Sequence, residues 1–341
     1  MPLSVALICL VTLIASAVLT GTVRALAVRH GVMDVPNDRS SHSVSTPRGG
    51  GTAIVITLSA AMLVLTALGH VDRQLCAALT CGGLLVAIVG FIDDRSSVQP
   101  LVRLLIHLLA AVWALVCFGH LWPLQVGTRI VTLGISGDVL VILGIVWVLN
   151  LFNFMDGIDG LAASEASFVG IAGAVLSACG WSSGVTAADV AFGAACLGFL
   201  LWNWPPARIF MGDVGSGYLG YTIAMLVLAA GRSDPAAFWI WFILGGNFFV
   251  DATVTLVRRL TRGEAVHRPH RSHAYQWLAR RWRSHRAVTM GVLGLNVLWL
   301  FPCAWFARLH PDQAPWITVG ALAPLAVVFL AVGAGRRESF P

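Results

Sequence analysis

The stretch Asn-Phe-Met-Asp-Gly-Ile-Asp-Gly, residues 153–160, places two carboxylates between apolar runs. Asp156 and Asp159 are three residues apart, so on a helix they share a face, and the glycine after each lets a ligand or a second backbone come close. An acid within a membrane segment costs roughly 2.5–3.5 kcal/mol and marks a functional site by default. A solvated, capped loop is the alternative. A calcium loop is excluded, because the D-x-D-x-D-G spacing and its closing glutamate are missing.

Four further stretches carry the same kind of chemistry. In GFIDDRSS, residues 90–97, Asp93 and Asp94 are adjacent and repel, so one ionises less readily unless a cation or metal sits beside it, which suits a general base. A turn at a helix exit is the plainer reading. In IFMGDVGSGYLG, residues 209–220, Gly212, Gly215, Ser216 and Gly217 surround Asp213; their N–H groups suit an anion and the carboxylate suits a hard cation. The P-loop pattern is absent, and a glycine turn is the alternative.

His267, His270 and His273 recur every third residue in HRPHRSH, but Pro269 breaks a helix through them and no cysteine lies near, which disfavours zinc. The interleaved arginines fit oxyanion recognition. Arg280, Arg281, Arg283 and Arg286 are equally explained as topology-setting charge. Residues 34–53, DVPNDRSSHSVSTPRGGGTA, form a loop whose glycines at 49–51 admit close backbone contact, with Arg48 beside them. Carboxylates, glycine loops and arginines together suit a metal-chelated diphosphate and phosphoryl transfer.

The elements that position these groups are apolar helices. Of 341 residues, 57% are hydrophobic and 11% charged, with a mean hydropathy of +0.82, so the chain is a membrane protein. Eleven stretches approach the roughly 20 residues needed to cross a bilayer, at roughly 3–23, 50–69, 75–92, 102–119, 138–154, 158–180, 187–203, 215–231, 236–258, 286–307 and 314–333. The fold expected is a single all-α polytopic membrane domain over residues 1–341. The first stretch lacks a basic leader and a small-residue cleavage site, so it reads as a retained helix.

All 22 basic residues are arginine, and eighteen of them fall in the odd-numbered loops and the C-terminal tail. That bias places the N-terminus outside and the C-terminus inside, with cytoplasmic loops near 24–49, 93–101, 155–157, 204–214 and 259–285. The net charge of +6 is met by topology and anionic membrane lipids; nucleic acid is the weaker reading.

Asp93, Asp94, Asp156, Asp159 and Asp213 then gather at the inner side, with Asp251 a little deeper and expected to pair with an arginine, the sugar being the alternative partner. Asp72, Asp138, Asp189, Asp234 and Asp312 lie outside, several in the manner of helix caps. A small hairpin is expected near RIVTLGI, residues 129–135. Seven scattered cysteines read as small buried hydrophobes.

These stretches, in this order, resemble the polyprenyl-phosphate N-acetylhexosamine-1-phosphate transferases, glycosyltransferase family 4. NFMDGIDG is similar to that family's N-x-x-D-G-x-D-G, FIDDR to its Asp-Asp motif, FMGDVGS to its G-D-x-G-S and HRPHRSH to its cytoplasmic His loop. The resemblance runs from about residue 34 to 286, and PNDRSSHSVSTPRGGG and RSHAYQ look most like the branch that begins O-antigen. The absence of lysine departs from relatives that use it near the diphosphate, and the His loop departs from the muramoyl-pentapeptide branch.

By position, the resemblance implies Asp213 as the ligand of Mg²⁺ (or Mn²⁺) and Asn153 beside the metal-diphosphate. Asp156 and Asp159 would line the nucleotide-sugar pocket. Asp93, with Asp94, would act as base toward or position the lipid phosphate; His270, Arg271 and His273 would bind the diphosphate. From their own spacing, Arg95, Arg103 and His107 could meet the lipid headgroup, the latter two four apart on one helical face, with a snorkelling interfacial arginine the equal alternative; Arg48 joins the binding set. The implied reaction joins undecaprenyl phosphate and a UDP-N-acetylhexosamine at the cytoplasmic face of a bacterial inner membrane, in a protein that dimerises by family analogy. An ion-coupled secondary transporter is the rival reading.

Overall fold

Uninterrupted apolar stretches fold here as helices, and prolines and glycines punctuate them. The computed structural model describes residues 1–36, 44–120, 122–180, 182–264 and 270–337. His267 lies outside the described residues.

Helix α1 (Leu3–Arg29) leads, through the two-residue strands β1 (Met33–Asp34) and β2 (Thr46–Pro47), to α2 (Gly51–Ala67). Next come α3 (Arg73–Asp93), which contains one π-helical turn over Ala78–Gly82, and α4 (Pro100–Phe118). Strands β3 (Leu124–Val126) and β4 (Arg129–Val131) form the expected hairpin. Helices α5 (Gly134–Met155), α6 (Leu161–Ala178), α7 (Ser183–Asn203) and α8 (Asp213–Gly231) follow. The chain ends with α9 (Ala237–Leu244), α10 (Gly246–Leu260), α11 (Ala274–Trp282), α12 (His285–Leu309) and α13 (Ala314–Val332).

Among the described residues nine helices are long and apolar enough to cross a membrane, or ten if the bent pair α9 and α10 counts as one. Two of the eleven expected spans account for the difference. The second is α2, apolar but only 17 residues long. The ninth, expected as one straight helix over 236–258, turns by 78° at Gly245–Gly246. Paired glycines are a recognised cause of such kinks. A Cβ at Gly246 would also come within 2.5 Å of Leu322 Cδ2, so the break doubles as a close packing point for α13.

Helix α8 is the axis of the bundle: 94% of its apolar window is buried. Its small residues let neighbours approach closely, as at Gly51 of α2, where a Cβ would lie 2.3 Å from Gly215 Cα. Gly51→Ala and then Gly51→Val therefore lower the apparent melting temperature of the purified protein in that order, each step costing about 1–3 kcal/mol, and a thermal-shift series in detergent reads it.

Of the five outer acids, Asp72 caps a helix as expected and the other four take different roles. Asp72 accepts the N–H of Leu75 at 2.7 Å at the start of α3, and Asp234 accepts the N–H of Ala236 at 2.8 Å in the turn just before α9. Asp138 lies inside α5 against His120 at 2.6 Å, and Asp312 accepts from Gln125. Asp189 is fully buried within α7 and accepts the Ser177 hydroxyl, a bond that joins α6 to α7.

Candidate active site at the helix ends

Four chain segments deliver a carboxylate and arginine array to one end of the bundle. Asp94 follows the last residue of α3 and accepts the N–H groups of Asp213 and Val214 at 2.8 and 3.1 Å. These are two of the donors that the start of α8 leaves without helical partners. Gly212, at φ 78°, makes the turn that allows this; a Cβ there would sit 2.4 Å from Asp94 Oδ2.

Arg48, from the segment before α2, reaches Asp94 at 2.8 Å and Asp213 at 3.0 Å. Arg103, in the first turn of α4, reaches Asp93 at 2.5 Å and Asp213 at 3.4 Å. The other oxygen of Asp93 accepts the Val98 N–H at 2.7 Å. Burial pushes the Asp94 carboxyl above its usual value, against the pull of Arg48 and the two backbone donors. Five expected site residues thus converge, and Asp94 has its oxygens committed to holding the helix start in place.

Asp156 and Asp159 do not share a helical face, because α5 ends at Met155 and α6 begins only at Leu161, after Gly160 at φ 72°. The Asp-Gly pairs end the helix instead of riding on it. Asn153, still in α5, donates to Ser216 Oγ of α8 at 3.2 Å. Asp156 makes no side-chain hydrogen bond to the described residues. Burial, reinforced by the charge of Asp213, pushes its carboxyl up to about 7.

Asp159 turns to a different neighbourhood. Its Oδ2 accepts the Ala207 N–H at 3.1 Å, and its Oδ1 lies 3.2 Å from His285 Nδ1. There it lines a cavity of about 620 Å³ with Thr46, Phe210, Arg271, Arg280 and Arg286.

The His loop is held by Asp251. That residue, buried on α10, accepts the N–H groups of Ala274 and Tyr275 at 2.8 and 3.1 Å, capping α11, and also the Thr255 hydroxyl at 3.2 Å. His273 Nδ1 stands 3.5 Å away. The expectation of an arginine partner for Asp251 is thereby corrected: the start of a short helix takes the charge. His273 is 3% exposed and stacks near Phe154 and Tyr275, while His270 stacks on His273 with ring centroids 4.9 Å apart.

Burial, with His273 and Arg259 nearby, pushes His270 down to about 3, so it is neutral near pH 7. Tyr275 donates to the Phe154 carbonyl at 3.0 Å, tying α11 to the NFMDGIDG turn. Asp251→Ala leaves those N–H groups without an acceptor. The apparent melting temperature of the purified protein then falls, by the roughly 1–3 kcal/mol that a stranded buried donor costs, and a thermal-shift measurement checks it.

Arg95 stands apart from the carboxylates, its guanidinium 3.5 Å over the Phe91 ring. His107 is buried one turn beyond Arg103, with no hydrogen-bond partner for Nδ1 among the described residues. Among the described residues no three His, Cys, Asp or Glu side chains form a ready metal cage. Mg²⁺ needs none: it keeps several waters and takes one or two carboxylates plus substrate phosphates. Asp213, with uncommitted Asp156 and the Asn153 amide oxygen, offers hard oxygen donors of that kind.

Sequence reasoning missed His285, Phe210 and Tyr275, and credited Arg280 and Arg286 to topology alone. Only the three-residue spacing of Arg280, Arg283 and Arg286 hinted that they would meet at one cavity wall.

A helical membrane bundle that gathers acids and arginines from distant loops at one end has the make-up of a membrane enzyme for anionic substrates. The chain belongs to glycosyl transferase family 4, whose profile matches residues 76–231. It is 33% identical, over 81% of its length and 78% of the relative's, to a probable undecaprenyl-phosphate N-acetylglucosaminyl 1-phosphate transferase of Bacillus subtilis. To the decaprenyl-phosphate N-acetylglucosaminephosphotransferase of Mycolicibacterium smegmatis it is 31% identical, covering 93% of this chain and 86% of the other. To the undecaprenyl-phosphate alpha-N-acetylglucosaminyl 1-phosphate transferase of Escherichia coli O157:H7 it is 29% identical, covering 75% and 71%.

Proposed function

We propose that this protein transfers an N-acetylhexosamine 1-phosphate from a UDP-sugar to undecaprenyl or a similar polyprenyl phosphate, beginning a lipid-linked O-antigen or other cell-envelope glycan. The observation that carries this reading is the convergence of Asp93, Asp94, Asp213, Arg48 and Arg103 at one end of the bundle of a family 4 chain. Family membership also favours transfer over ion-coupled transport. N-acetylglucosamine is the first sugar to test because the relatives are named for it.

A phosphate oxygen of the lipid attacks the β-phosphorus of the nucleotide-sugar. A new P–O bond forms there, the bond from that phosphorus to the bridging oxygen breaks, and UMP leaves with the electron pair. The lipid then carries the sugar through a diphosphate. A phosphate monoester is largely ionised near neutral pH, so Asp93, already paired with Arg103, serves to orient the acceptor more than to deprotonate it. Asp94 holds the start of α8, and Asp213 with Asn153 faces the diphosphate.

His270, Arg271 and the cavity arginines receive the remaining phosphate oxygens, and Asp159 faces the nucleotide; His273 supports them from below. Asp213, with Asp156 near, would hold Mg²⁺, which when bound would offset the charge that grows on the leaving phosphate.

Eleven crossings, counting α2 and the bent pair, with the N-terminus periplasmic and the site cytoplasmic, agree with the arginine bias. The bacterial relatives support an inner-membrane location. The test is UMP release by the purified protein in detergent with undecaprenyl phosphate and a panel of UDP-GlcNAc and its 6-deoxy analogues. Release that requires both lipid and Mg²⁺ supports the reading; no release with any donor from folded protein overturns it.

A further inference from the structure

Helices α10 and α13 pack together and end side by side, and arginines crown both ends. Arg258, Arg259 and Arg262 close α10, and Arg336 and Arg337 follow α13. They share the carboxylate of Glu264, whose Oε2 accepts from Arg259 at 3.0 Å while its Oε1 lies 3.3 Å from Arg337 and 3.8 Å from Arg262. Arg336 has no carboxylate partner among the described residues, and its charge and that of Arg262 bear on Arg258. Even with roughly half a negative charge at each helix C-terminus, about three positive charges stay unmatched among the described residues.

Charge that only sets topology needs no geometry, but these side chains are held. Arg258 Nη1 donates to the Ala334 carbonyl at 2.9 Å, and Arg262 Nη1 donates to the Gly335 carbonyl at 2.5 Å. Gly335, at φ 68°, lies so close to α10 that a Cβ there would stand 2.9 Å from Arg258 Cβ. Its N–H donates to the Ser272 carbonyl at 2.7 Å. The chain after α13 is thereby stitched to α10 on one side and to the His loop on the other.

Arg262, Arg336 and Arg337 line an open recess of about 660 Å³. Earlier on the same two helices, Val257 and Leu260 of α10 are 51% and 53% exposed, and Leu330 of α13 is 43% exposed. Guanidinium forks match phosphate oxygens, and exposed apolar side chains at helix ends match acyl chains. A free phosphate uses only the first, whereas an anionic phospholipid uses both. The recess shares no residue with the carboxylate array or with the 620 Å³ cavity, so it lies outside the parts that carry the transferase reading.

We propose that the joined ends of α10 and α13 bind the phosphodiester headgroup of an anionic glycerophospholipid, with its acyl chains along Val257, Leu260 and Leu330. The bound headgroup offsets the repulsion among Arg258, Arg262 and Arg336 and so braces the segment around Gly335 against the His loop. This is a structural-lipid site, distinct from either substrate of the proposed reaction, and it stands whether or not that reaction is right.

Native mass spectrometry of the purified protein, taken from micelles holding equal phosphatidylglycerol and phosphatidylcholine, tests the site. Wild type retains phosphatidylglycerol preferentially. The double variant Arg336→Ala, Arg337→Ala lowers the retained fraction by about fivefold, and Glu264→Gln, which removes the shared counter-charge, raises it. Both arginines are exposed, so the double variant keeps the wild-type melting temperature in detergent. Equal retention of the two lipids by wild type, or undiminished phosphatidylglycerol in the double variant, overturns the site.

Competition separates the sources of phosphate. Displacement of phosphatidylglycerol by millimolar inorganic phosphate reduces the recess to a free-anion site and overturns the lipid assignment, as does displacement by an equal amount of undecaprenyl phosphate. Hydrogen exchange reads the brace without turnover: the Gly335 N–H exchanges about threefold more slowly in phosphatidylglycerol nanodiscs than in phosphatidylcholine ones for wild type, and equally in both for the double variant. Equal exchange for wild type overturns the brace.

Discussion

Asp213→Asn lowers the rate of UMP release by about a thousandfold or more while the purified protein stays folded. The substitution keeps the shape of the first residue of α8 and removes one negative charge. Arg48 retains Asp94 at 2.8 Å and Arg103 retains Asp93, so neither arginine is stranded. The backbone N–H of residue 213 still meets Asp94. What disappears is the hard anionic oxygen that the proposed function turns toward the diphosphate, and an amide oxygen is a poor replacement toward a divalent cation.

Asp94→Asn does not separate chemistry from folding in this way, because its amide nitrogen would face backbone donors. UMP release, size-exclusion profile and thermal stability measured on one Asp213→Asn preparation check the prediction. A loss of only a few-fold with a normal profile would remove Asp213 from the metal role.

The sequence made the cluster legible because membrane chemistry makes carboxylates conspicuous. Asp93, Asp94 and Asp213 stand where apolar runs stop, and in a chain with only 11% charged residues an acid at such a place points to a ligand or a cation nearby. Their partnership with Arg48 and Arg103 was not legible. Arg48 reaches the acids because Gly51 lies against Gly215 and residues 47–51 run beside residues 210–211, contacts between segments more than 150 residues apart, whereas Arg103 meets Asp93 across a ten-residue turn.

Local spacing misled at two places. The three-residue interval between Asp156 and Asp159 suggested a shared helical face, yet the Asp-Gly pairs terminate the helix, so that Asp159 lines the 620 Å³ cavity while Asp156 lies buried near Asp213. Asp251 looked like half of an ion pair because arginines follow it on the same helix, but α11 folds back to present its N–H groups first.

Glu165, inside the expected span 158–180, is conspicuous as an intramembrane acid, but its partner is not legible. It sits among small residues in α6, fully buried, accepting from Asn296 of α12 at 2.6 Å, and Asn296 in turn accepts from Asn247 of α10. A polar link of this kind fixes how three helices register in a membrane, and nothing in the spacing of SEASF announces it. The bend at Gly245–Gly246 was hidden for a similar reason: hydropathy counts apolar residues and is blind to direction.

Asp156→Asn abolishes transfer and at the same time makes the substrate-free protein more stable at pH 8. The carboxyl stands at about 7 in the fold against 3.8 for an ordinary aspartate, chiefly because it is buried. A group whose folded pKa is raised holds its proton more tightly in the folded state. It therefore contributes most to stability below pH 4, and that contribution is lost as the pH rises through the window from about 4 to about 7.

Asparagine is neutral throughout, so the variant melts about 5 °C higher than wild type at pH 8, and the gap narrows steadily as the pH is lowered from 7 toward 4. Thermal-shift curves at several pH values, paired with the UMP assay, read both effects. A variant less stable than wild type at pH 8 would mean that Asp156 is held by a partner that stabilises its charge. With the expected result, the carboxylate costs the fold stability that an amide would not. Only a cationic ligand or a metal-bound diphosphate arriving at the NFMDGIDG turn makes that charge favourable.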